Sequence, residues 1–591
     1  MPHVNKRFIL ITAGLLCGIA APLFYFSNGF SRPILFLWIL GLGLTGFGLY
    51  KKEPHKLGLN KFDGYAIYLL LLVFLPAYFA FLYSIPYQMN TDEAVIMLFQ
   101  KQYYNNPDFF GLSTYFGFPS FIFILTGWLA NLIGGINLLT VRLVHASMGL
   151  LIIVASYFTF RQFWKPLYAF SAAAIIGVNH SLLAISRMAM RDNSALLVEV
   201  ISLPFLFYGL KRKNYLASFI GGSIAGISFY VYHPARIFIF TWIGFFILLF
   251  ILRKARFLDL VRQAAVILVG FALVVAPLFA GGLNHEDPGA EKFSRERFLF
   301  YPEGRQLQKE WVAADSIEEA VITNIKYGLT AFNNRVNDQG YIYTNIGFGF
   351  VDPITGIFVW IGVLAVLVKL FLKKARSEDI WAASGFIFLW LLFSFVINKS
   401  PIYTRLFVIL PFLAYLVVIG IVFLGMLFVE LLKKLRLRDH SYLVNSFLIE
   451  IVIIIAFANF AIFGIYAKKG LAEGDSVGST ARYIEKRSHY QSYEFVLVSD
   501  RNFMFYNWGD AWQWEDWMGV FAQPTQSIRV LSPYNFYSDL NEENFTVFMN
   551  NIVWFNNEQN LRRMFPEMKV HNLTPDGRLM AIEVLNKPKS P

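Results

Sequence analysis

The chain has 591 residues, of which 56% are hydrophobic and only 15% are charged. Soluble globular domains carry roughly 25% charged residues, so the composition excludes a soluble protein and indicates a polytopic α-helical membrane protein. The net charge of +12 does not require a nucleic-acid partner, because cytoplasmic loops of membrane proteins collect Lys and Arg. The single cysteine, Cys17, excludes an internal disulfide and a cysteine-cluster zinc site.

Apolar stretches of about the 20 residues that a bilayer requires recur along most of the chain. In chain order they lie at 8–27, 33–50, 64–83, 116–134, 139–160, 167–185, 195–210, 215–232, 236–252, 263–281, 353–372, 380–397, 402–429 and 441–467. The Lys and Arg residues between them gather at 6–7, 51–52, 161–165, 211–213, 253–256, 373–376 and 433–438. Placing all of these clusters in the cytoplasm leaves one stretch that cannot cross.

That stretch is 116–134, which contains Pro119 and ends at Gly134 without a basic flank. We expect it to form an interfacial or re-entrant helix. The prediction is then about 13 transmembrane helices in the plasma membrane, with the N-terminus in the cytoplasm and external loops at 84–138 and 282–352. The alternative is that the first stretch is a cleaved signal peptide. This would not change the side of the membrane assigned to any later part of the chain.

The composition becomes more polar after residue 467, which predicts a division into a membrane module at 1–467 and a small extracytoplasmic α/β domain at 468–591. Strand-like apolar runs lie at 495–498, 528–531, 545–548 and 579–584, and helical stretches lie at 479–487 and 557–566. Alternation of strands and helices is typical of an α/β fold.

Carboxylates at the ends of membrane helices are candidate functional groups because burying them is costly. Asp92 and Glu93 lie in the loop just outside the third stretch. Adjacent acids point in different directions, so one can act as a catalyst while the other orients a helix or pairs with a cation. The alternative is that Thr91 or Asp92 only caps the helix that follows.

A second candidate group lies where the stretch 167–185 ends, at Arg187, Arg191 and Asp192. Two arginines on the expected external side break the positive-inside pattern, and a phosphate or carboxylate partner would account for them. The alternative is a salt bridge from one arginine to Asp192. Glu199, further along, is interpreted as a helix-packing residue.

Further basic and aromatic groups follow on two expected external turns. His233 and Arg236 lie with Tyr230 and Tyr232 on one turn, and Lys399 and Tyr403 lie with Arg405 on another. Interfacial anchoring of Tyr and Arg is the alternative for both turns. A metal site would have to be built from carboxylates of separate loops, with Asp92 and Asp192 as ligands, and oxygen ligands favour a divalent cation such as Mg or Mn.

The loop at 282–352 is too long for a plain connector. It ends in a stretch rich in glycine and aromatic residues at 339–350, where Tyr343 is a candidate contact for donor or acceptor. Such a segment is expected to act as a lid over an external site, and a purely structural loop is the alternative.

This arrangement resembles the GT-C glycosyltransferases that use polyprenyl-phosphate sugars, in particular the branch of the protein O-mannosyltransferases and aminoarabinose transferases (glycosyltransferase family 39 type). The residues that carry the resemblance are Asp92 and Glu93, the segment 141–149, the stretch 186–192, the segment 232–236, Asp352 with Pro353, and the turn 401–405. The segment 116–134 lacks the pattern of the aminoarabinose branch, so that sugar is not assigned.

The resemblance implies an integral membrane enzyme that transfers a sugar, with inversion, from a lipid-phosphate donor to a hydroxyl of a protein, glycolipid or glycan acceptor. In this hypothesis Asp92 is the general base and Glu93 orients it. Asp192 holds a metal or the acceptor. The donor phosphate is bound by Arg187 and Arg405, with His233 and Arg236 as further candidate contacts.

Two other classes of protein stay open at this point. An oligosaccharide ligase or polymerase would carry its functional arginines on a large late external loop, whereas here the acids of the first loop stand out. A transporter or lipid flippase also has charges within the membrane, but such proteins often contain two related halves, which are not visible in this sequence.

Overall fold

The computed structural model of the protein is mostly helical, with a small sheet near the C-terminus. It describes residues 6–51, 59–86, 91–112, 118–283, 295–332, 336–339, 347–434, 442–469, 483, 494–498, 528–531, 540, 545–573 and 579–584.

The helices of the membrane part are numbered here in chain order. They are α1 (Lys6–Asn28), α2 (Arg32–Leu49), α3 (Lys61–Phe79), α4 (Thr91–Asn105), α5 (Phe121–Gly134), α6 (Leu138–Arg161), α7 (Pro166–Val178), α8 (His180–Ser186), α9 (Asn193–Arg212), α10 (Tyr215–Ile227), α11 (Phe238–Ile251), α12 (Phe257–Leu283), α13 (Pro302–Val312), α14 (Ile317–Leu329), α15 (Pro353–Phe371), α16 (Ser377–Phe395), α17 (Tyr403–Leu406), α18 (Leu410–Lys434) and α19 (Leu443–Lys469). Short 3₁₀ turns at Ser228–Tyr230 and His233–Ile237 lie between α10 and α11.

Eleven helical segments among the described residues are long and apolar enough to cross a membrane, which confirms the polytopic architecture. The other two of the thirteen predicted stretches are less regular. The pair α7 and α8 is bent by 63°, and counting it as one span raises the total to 12. The segment Tyr215–Tyr230 is apolar but shorter.

Helix α5 occupies the stretch that was predicted not to cross. It has 14 residues, which at 1.5 Å per residue is about 21 Å, shorter than the roughly 30 Å hydrocarbon core of a bilayer. Its placement as an interfacial or re-entrant helix stays a prediction.

Helices α1 and α2 pack closely because glycines line their crossing. A Cβ atom added at Gly41 would lie 2.6 Å from the backbone nitrogen of Gly18. Small residues allow such an approach of helix backbones within a membrane, so substituting this glycine would separate the two helices.

The end of the bundle away from the candidate site is here called the opposite end. It carries Asp63, Arg161, Lys211, Lys369 and Asp379. Here acids and bases lie in pairs at helix termini. Arg161 bonds to Asp63 with Nη2 at 3.2 Å from Oδ2, and Lys369 lies 2.8 Å from Asp379. Such pairs satisfy charges at the ends of helices.

The other end, here called the site end, brings together parts that are distant in sequence. These are the first turn of α4, the turn between α8 and α9, the 3₁₀ turn at His233–Ile237 and helix α17. Their polar side chains are described below.

The C-terminal part contains a five-stranded sheet with the strands β1 (Glu494–Val498), β2 (Ile528–Leu531), β3 (Phe545–Asn550), β4 (Lys569–Asn572) and β5 (Leu579–Val584). The strand order is β2-β1-β3-β5-β4. Strand β1 is parallel to β2 and β3, while β5 is antiparallel to β3 and β4. The four predicted strands are confirmed, and β4 was not predicted.

Helix α20 (Asn551–Met564) packs on this sheet through Trp554 and Leu561, which are buried with Val547 and Ile582. It overlaps the predicted helix at 557–566 but begins earlier. The predicted helix at 479–487 lies outside the described residues apart from Tyr483, and the domain boundary after residue 467 stays a prediction.

Candidate functional site

The two adjacent acids of α4 lie in different surroundings. Glu93 is fully buried and forms a bidentate ion pair with Arg142 of α6, with Nε 3.0 Å from Oε1 and Nη2 2.9 Å from Oε2. Glu93 also accepts a hydrogen bond of 2.6 Å from the backbone N–H of Ala189. Both carboxylate oxygens are therefore engaged by protein groups.

Arg142 extends this connection to the turn that precedes α4. Its Nη1 donates to the carbonyl oxygens of Leu82 and Pro86, at 3.2 and 2.8 Å. The pair thus ties four segments together: the turn before α4, the start of α4, helix α6, and the turn between α8 and α9. This geometry favours Glu93 as the residue that orients its neighbour, and Glu93 is less suited to proton transfer itself.

Asp92 and Asp192 are brought together from α4 and from the start of α9. Both are buried. The pKa of Asp192 is raised to about 6, chiefly by burial; the Arg191 charge opposes this rise and the Asp92 charge adds to it. Two carboxylates near one another in a buried site are unfavourable without a proton or a cation to share, and this combination is typical of functional sites.

Tyr232 connects the acids to the basic groups of the site. Its hydroxyl is in hydrogen-bonding reach of Asp192 and Arg405 and lies 3.3 Å from Thr404 Oγ1. Burial raises the pKa of Tyr232 to about 12, with Asp192 adding to the effect, so the phenol stays neutral at physiological pH. Tyr232 therefore has more than an anchoring role at the membrane surface.

Four arginines surround His233 within electrostatic reach, namely Arg236, Arg191, Arg297 and Arg405. They come from the 3₁₀ turn, the α8–α9 turn, the segment before α13, and α17. The guanidinium carbon of Arg191 also lies 3.8 Å from the ring centre of Phe118. Cations gathered in this way repel each other, so they are suited to binding an anion.

Lys399 adds a fifth cation to this group. Its pKa is lowered to about 8, chiefly by burial and in addition by the charges of Arg297 and Arg405. Its ammonium lies 3.7 Å from the ring centre of Trp311. We call the five residues Arg191, Arg236, Arg297, Lys399 and Arg405 the cation cluster.

Arg187, predicted to bind the donor phosphate, has different contacts. It is buried, and its guanidinium donates to the carbonyl oxygens of Ala77 and Ala80 at 2.6 Å each and to Ile85 at 3.3 Å. The carbonyls of Ala77 and Ala80 are at the end of helix α3, and that of Ile85 is in the turn that follows. Burial lowers its pKa to about 10, so it stays charged at neutral pH. The structure thus gives Arg187 the contacts of a helix cap, and its role as a phosphate ligand stays a prediction.

The acids Asp92 and Asp192 also fit the predicted metal. Mg²⁺ is commonly held by one or two carboxylates, waters and substrate phosphates, and hard oxygen ligands also suit Mn²⁺. Within the described part of the chain, no group of three or more His, Cys, Asp or Glu could hold a metal ion. A fully protein-ligated site is therefore not present among those residues.

Other residues singled out in the sequence have structural contacts or cannot be placed. Asp352 caps α15, accepting from the N–H groups of Ile354 and Thr355 at 3.0 Å, and Asn459 donates to it at 2.7 Å. Glu199 is buried within α9. Tyr343 lies outside the described residues.

Two site residues were missed in the sequence analysis. Arg142 was noted only as part of a segment, because its partner Glu93 lies 49 positions earlier and no local pattern announces the pair. Arg297 lies in the long loop at 282–352, where it was not distinguished from the other charges. Its position on the expected external side was the available signal.

The chain matches no protein-family model and no curated protein sequence. Among solved structures it is similar to the archaeal oligosaccharyltransferase AglB from Archaeoglobus fulgidus in complex with an inhibitory peptide and a dolichol-phosphate. The TM-score is 0.49 and the identity 12%, over 79% of this chain and 64% of that one. The apo form of the oligosaccharyltransferase of the same organism gives 0.48 and 12%, over 83% and 69%.

A third structure of that enzyme, a complex with Zn and sulfate, gives a TM-score of 0.47 at 12% identity, over 79% and 62% of the two chains. The chain thus spans slightly less than two thirds of the length of two of these neighbours.

Proposed function

We propose that the chain is an integral membrane glycosyltransferase that moves a sugar from a polyprenyl-phosphate donor to an acceptor hydroxyl. The observation that carries this proposal is that two buried carboxylates, Asp92 and Asp192, lie within electrostatic reach of each other, and that Tyr232 links Asp192 to Arg405 of the cation cluster. A transferase of this type needs an acceptor for a proton and a binding site for a phosphate, and the site end supplies both side by side.

The lipid donor follows from the position of the site. The opposite end carries the basic residues Arg161, Lys211 and Lys369, so the positive-inside rule supports placing that end in the cytoplasm. The site end then faces the extracytoplasmic side, where nucleotide sugars are not available. A sugar carried on a lipid and presented from the bilayer supplies the site instead.

The chemistry assigned to the acids is a single displacement. The acceptor hydroxyl oxygen attacks the anomeric carbon while the bond from that carbon to the phosphate oxygen breaks, and polyprenyl phosphate leaves. Asp92 takes the hydroxyl proton as general base. Attack in line with the leaving group inverts the anomeric configuration.

Glu93 and Arg142 hold the first turn of α4, and therefore Asp92, against the turn that carries Asp192. Asp192 orients the acceptor or holds a divalent cation together with Asp92. If bound, such a cation would supply positive charge to the leaving phosphate. Tyr232, neutral and hydrogen-bonded, fixes the distance between Asp192 and Arg405.

The leaving phosphate is a weak base and needs positive charge more than it needs an acid. Arg405 and Arg297 are the best placed residues of the cation cluster, because their charges act on each other, on His233 and on Lys399. Arginine presents a planar fork of donors that matches phosphate oxygens. Binding one phosphate relieves the repulsion within the cluster.

The proposal is tested by transfer in liposomes that contain the purified protein. Polyprenyl-phosphate hexoses and pentoses are supplied as donors, with peptide, glycolipid and glycan acceptors, and products are identified by mass spectrometry. Transfer that depends on Asp92 supports the proposal. Use of polyprenyl-diphosphate oligosaccharides alone would favour a ligase, and solute movement without consumption of any donor would favour a transporter.

A further inference from the structure

The backbone of the turn that carries Lys399 forms hydrogen bonds to a different segment of the chain. Its three consecutive N–H groups all donate to the segment 295–329. Asn398 N–H donates to the carbonyl of Arg297 at 3.1 Å, Lys399 N–H to Gln308 Oε1 at 2.6 Å, and Ser400 N–H to Asn324 Oδ1 at 2.8 Å. The shape of this turn therefore depends on helices α13 and α14.

Both the oxygen and the nitrogen of the Asn324 side-chain amide form hydrogen bonds at this turn. It is completely buried, and while its oxygen accepts from Ser400, its Nδ2 donates to the carbonyls of Ser394 at 3.1 Å and Ile397 at 2.9 Å. It thus joins the last turn of α16 to the turn at 398–400. Gln308 is also buried, and it accepts a hydrogen bond from the N–H of Lys399, the residue between Asn398 and Ser400.

The same turn positions two members of the cation cluster, Lys399 and Arg405. The carbonyl of Asn398 accepts from Arg405 Nη1 at 3.1 Å. Lys399 has a φ of 53°, in the left-handed region that residues other than glycine rarely adopt, and its ammonium lies over the Trp311 ring. An unusual backbone conformation persists where surrounding contacts enforce it.

We propose that Gln308, Asn324 and Trp311 are positioning residues for the phosphate-binding cations. They act through Lys399 and Arg405 and do not touch substrate themselves. The loop helices α13 and α14 are then the scaffold of the donor-phosphate site. This inference rests on the proposed function for the identity of the anion, but the placement of Lys399 can be measured without it.

The physical reason is that a buried N–H group left without its acceptor is costly. If Gln308 loses its amide, the Lys399 backbone relaxes from the left-handed conformation and turns its N–H toward water. The Lys399 side chain then leaves Trp311, Arg297 and Arg405. Its ammonium becomes better solvated, and its titration moves toward the ordinary range for lysine.

The test compares Gln308→Met with Gln306→Met, a matched change on the same helix. Gln306 is exposed and its amide donates only to Glu310 among the contacts described, at 2.9 Å. The reactivity of Lys399 toward an amine-labelling reagent is followed from pH 6 to 11 by mass spectrometry of the full chain in nanodiscs. The dissociation constant for farnesyl phosphate is measured on the same samples.

We expect Gln308→Met to move the Lys399 reactivity curve to higher pH by at least one unit and to weaken farnesyl phosphate binding about tenfold. Gln306→Met should leave both unchanged. If Gln308→Met does not fold, Trp311→Leu carries the test, since Trp311 is partly exposed and its loss should shift the same curve. Identical curves for the variants and the wild type overturn the inference.

The result is separable from the proposed function. A shifted Lys399 curve without any sugar transfer by the wild type would retain the positioning network and reject the glycosyltransferase. Transfer by the wild type with unchanged curves and affinities in Gln308→Met and Trp311→Leu would retain the enzyme and reject the positioning role.

Discussion

The two ends of the helix bundle treat charge in different ways. At the opposite end, Asp379 accepts from Lys369 at 2.8 Å, from the backbone N–H of Arg376 at 2.9 Å and from the Tyr415 hydroxyl at 3.0 Å. At the site end, Asp92 lies near Asp192, and four arginines lie around His233. At the opposite end unlike charges in pairs complete helix termini, whereas at the site end like charges also lie together, in addition to the unlike neighbours Arg191 beside Asp192 and Asp338 beside Arg405.

The same contrast separates neighbours within the site end. Glu93 has a bidentate partner in Arg142, and Arg187 is bonded to the carbonyls that end α3. Both resemble the pairs of the opposite end. Asp92 and Arg405, which lie close to groups of their own sign, are the residues to which we assign chemistry.

The largest effect is expected for Asp92→Asn. Loss of a general base lowers the rate about 10²- to 10⁴-fold, so transfer should fall close to background while membrane insertion is retained. The matched change Asp63→Asn, at the opposite end, should lower thermal stability and leave the rate per folded molecule nearly unchanged. Both variants are compared by their steady-state transfer rates with a saturating donor. Comparable rates in the two variants would contradict the assignment of chemistry to the site end alone.

Asp192→Asn should lower the rate about 100-fold and abolish its dependence on a divalent cation, because a metal contributes several kcal/mol of charge stabilisation. Rates are measured in EDTA and after adding back Mg²⁺ or Mn²⁺. A wild type that is indifferent to EDTA would assign Asp192 to the acceptor alone.

Arg405→Gln should weaken donor binding about 10- to 100-fold, since a hydrogen bond to a charged group contributes roughly 1.5–3 kcal/mol. Lys369→Gln, which breaks a pair at the opposite end, serves as the control and should not alter the dissociation constant. Farnesyl phosphate binding by calorimetry measures both. An unchanged affinity in Arg405→Gln would place the phosphate elsewhere.

The pH dependence of binding sharpens the same comparison. Burial and the nearby arginines lower the pKa of Lys399 to about 8, so its positive charge is lost as the pH rises through that value. Glu296 opposes the shift. Farnesyl phosphate affinity should fall up to about tenfold between pH 7 and 9, the order expected for one charged contact, and Lys399→Arg should extend binding to higher pH. A flat profile in the wild type would contradict this.

The smallest effect on binding is expected for Arg187→Gln. Because its contacts are backbone carbonyls of α3 and the following turn, the dissociation constant for farnesyl phosphate should change little. Thermal unfolding should occur at lower temperature. A large loss of affinity with normal stability would restore Arg187 as a phosphate ligand.

Much of the fold could be predicted from hydrophobic runs. The thirteen stretches expected to cross all contain helices, and the strands β1, β2, β3 and β5 lie where apolar runs predicted them. Strand β4 was missed because its four residues, Lys569–Asn572, include only one strongly apolar side chain. Short polar edge strands are recognised by their partners and not by their composition.

The site was predicted in part. The positive-inside pattern does not explain ionisable residues on the expected external side. For this reason the sequence analysis selected Asp92, Asp192, His233 and Arg405, and the structure brings them together. The contacts of Arg187 could not be predicted because its carbonyl partners come from the end of α3, about 100 positions earlier, and its role in phosphate binding stays a prediction. The network at Gln308 and Asn324 depends on bonds over 70 to 91 positions, which no local pattern reveals.

The most direct test of the account is a structure of the protein with farnesyl phosphate bound. The account predicts the phosphate between Arg405 and Arg297, beside His233, with the lipid chain extending into the bilayer and Asp92 within reach of the hydroxyl that would attack. A phosphate bound among Arg161, Lys211 and Lys369 at the opposite end, or at Arg187, would contradict it.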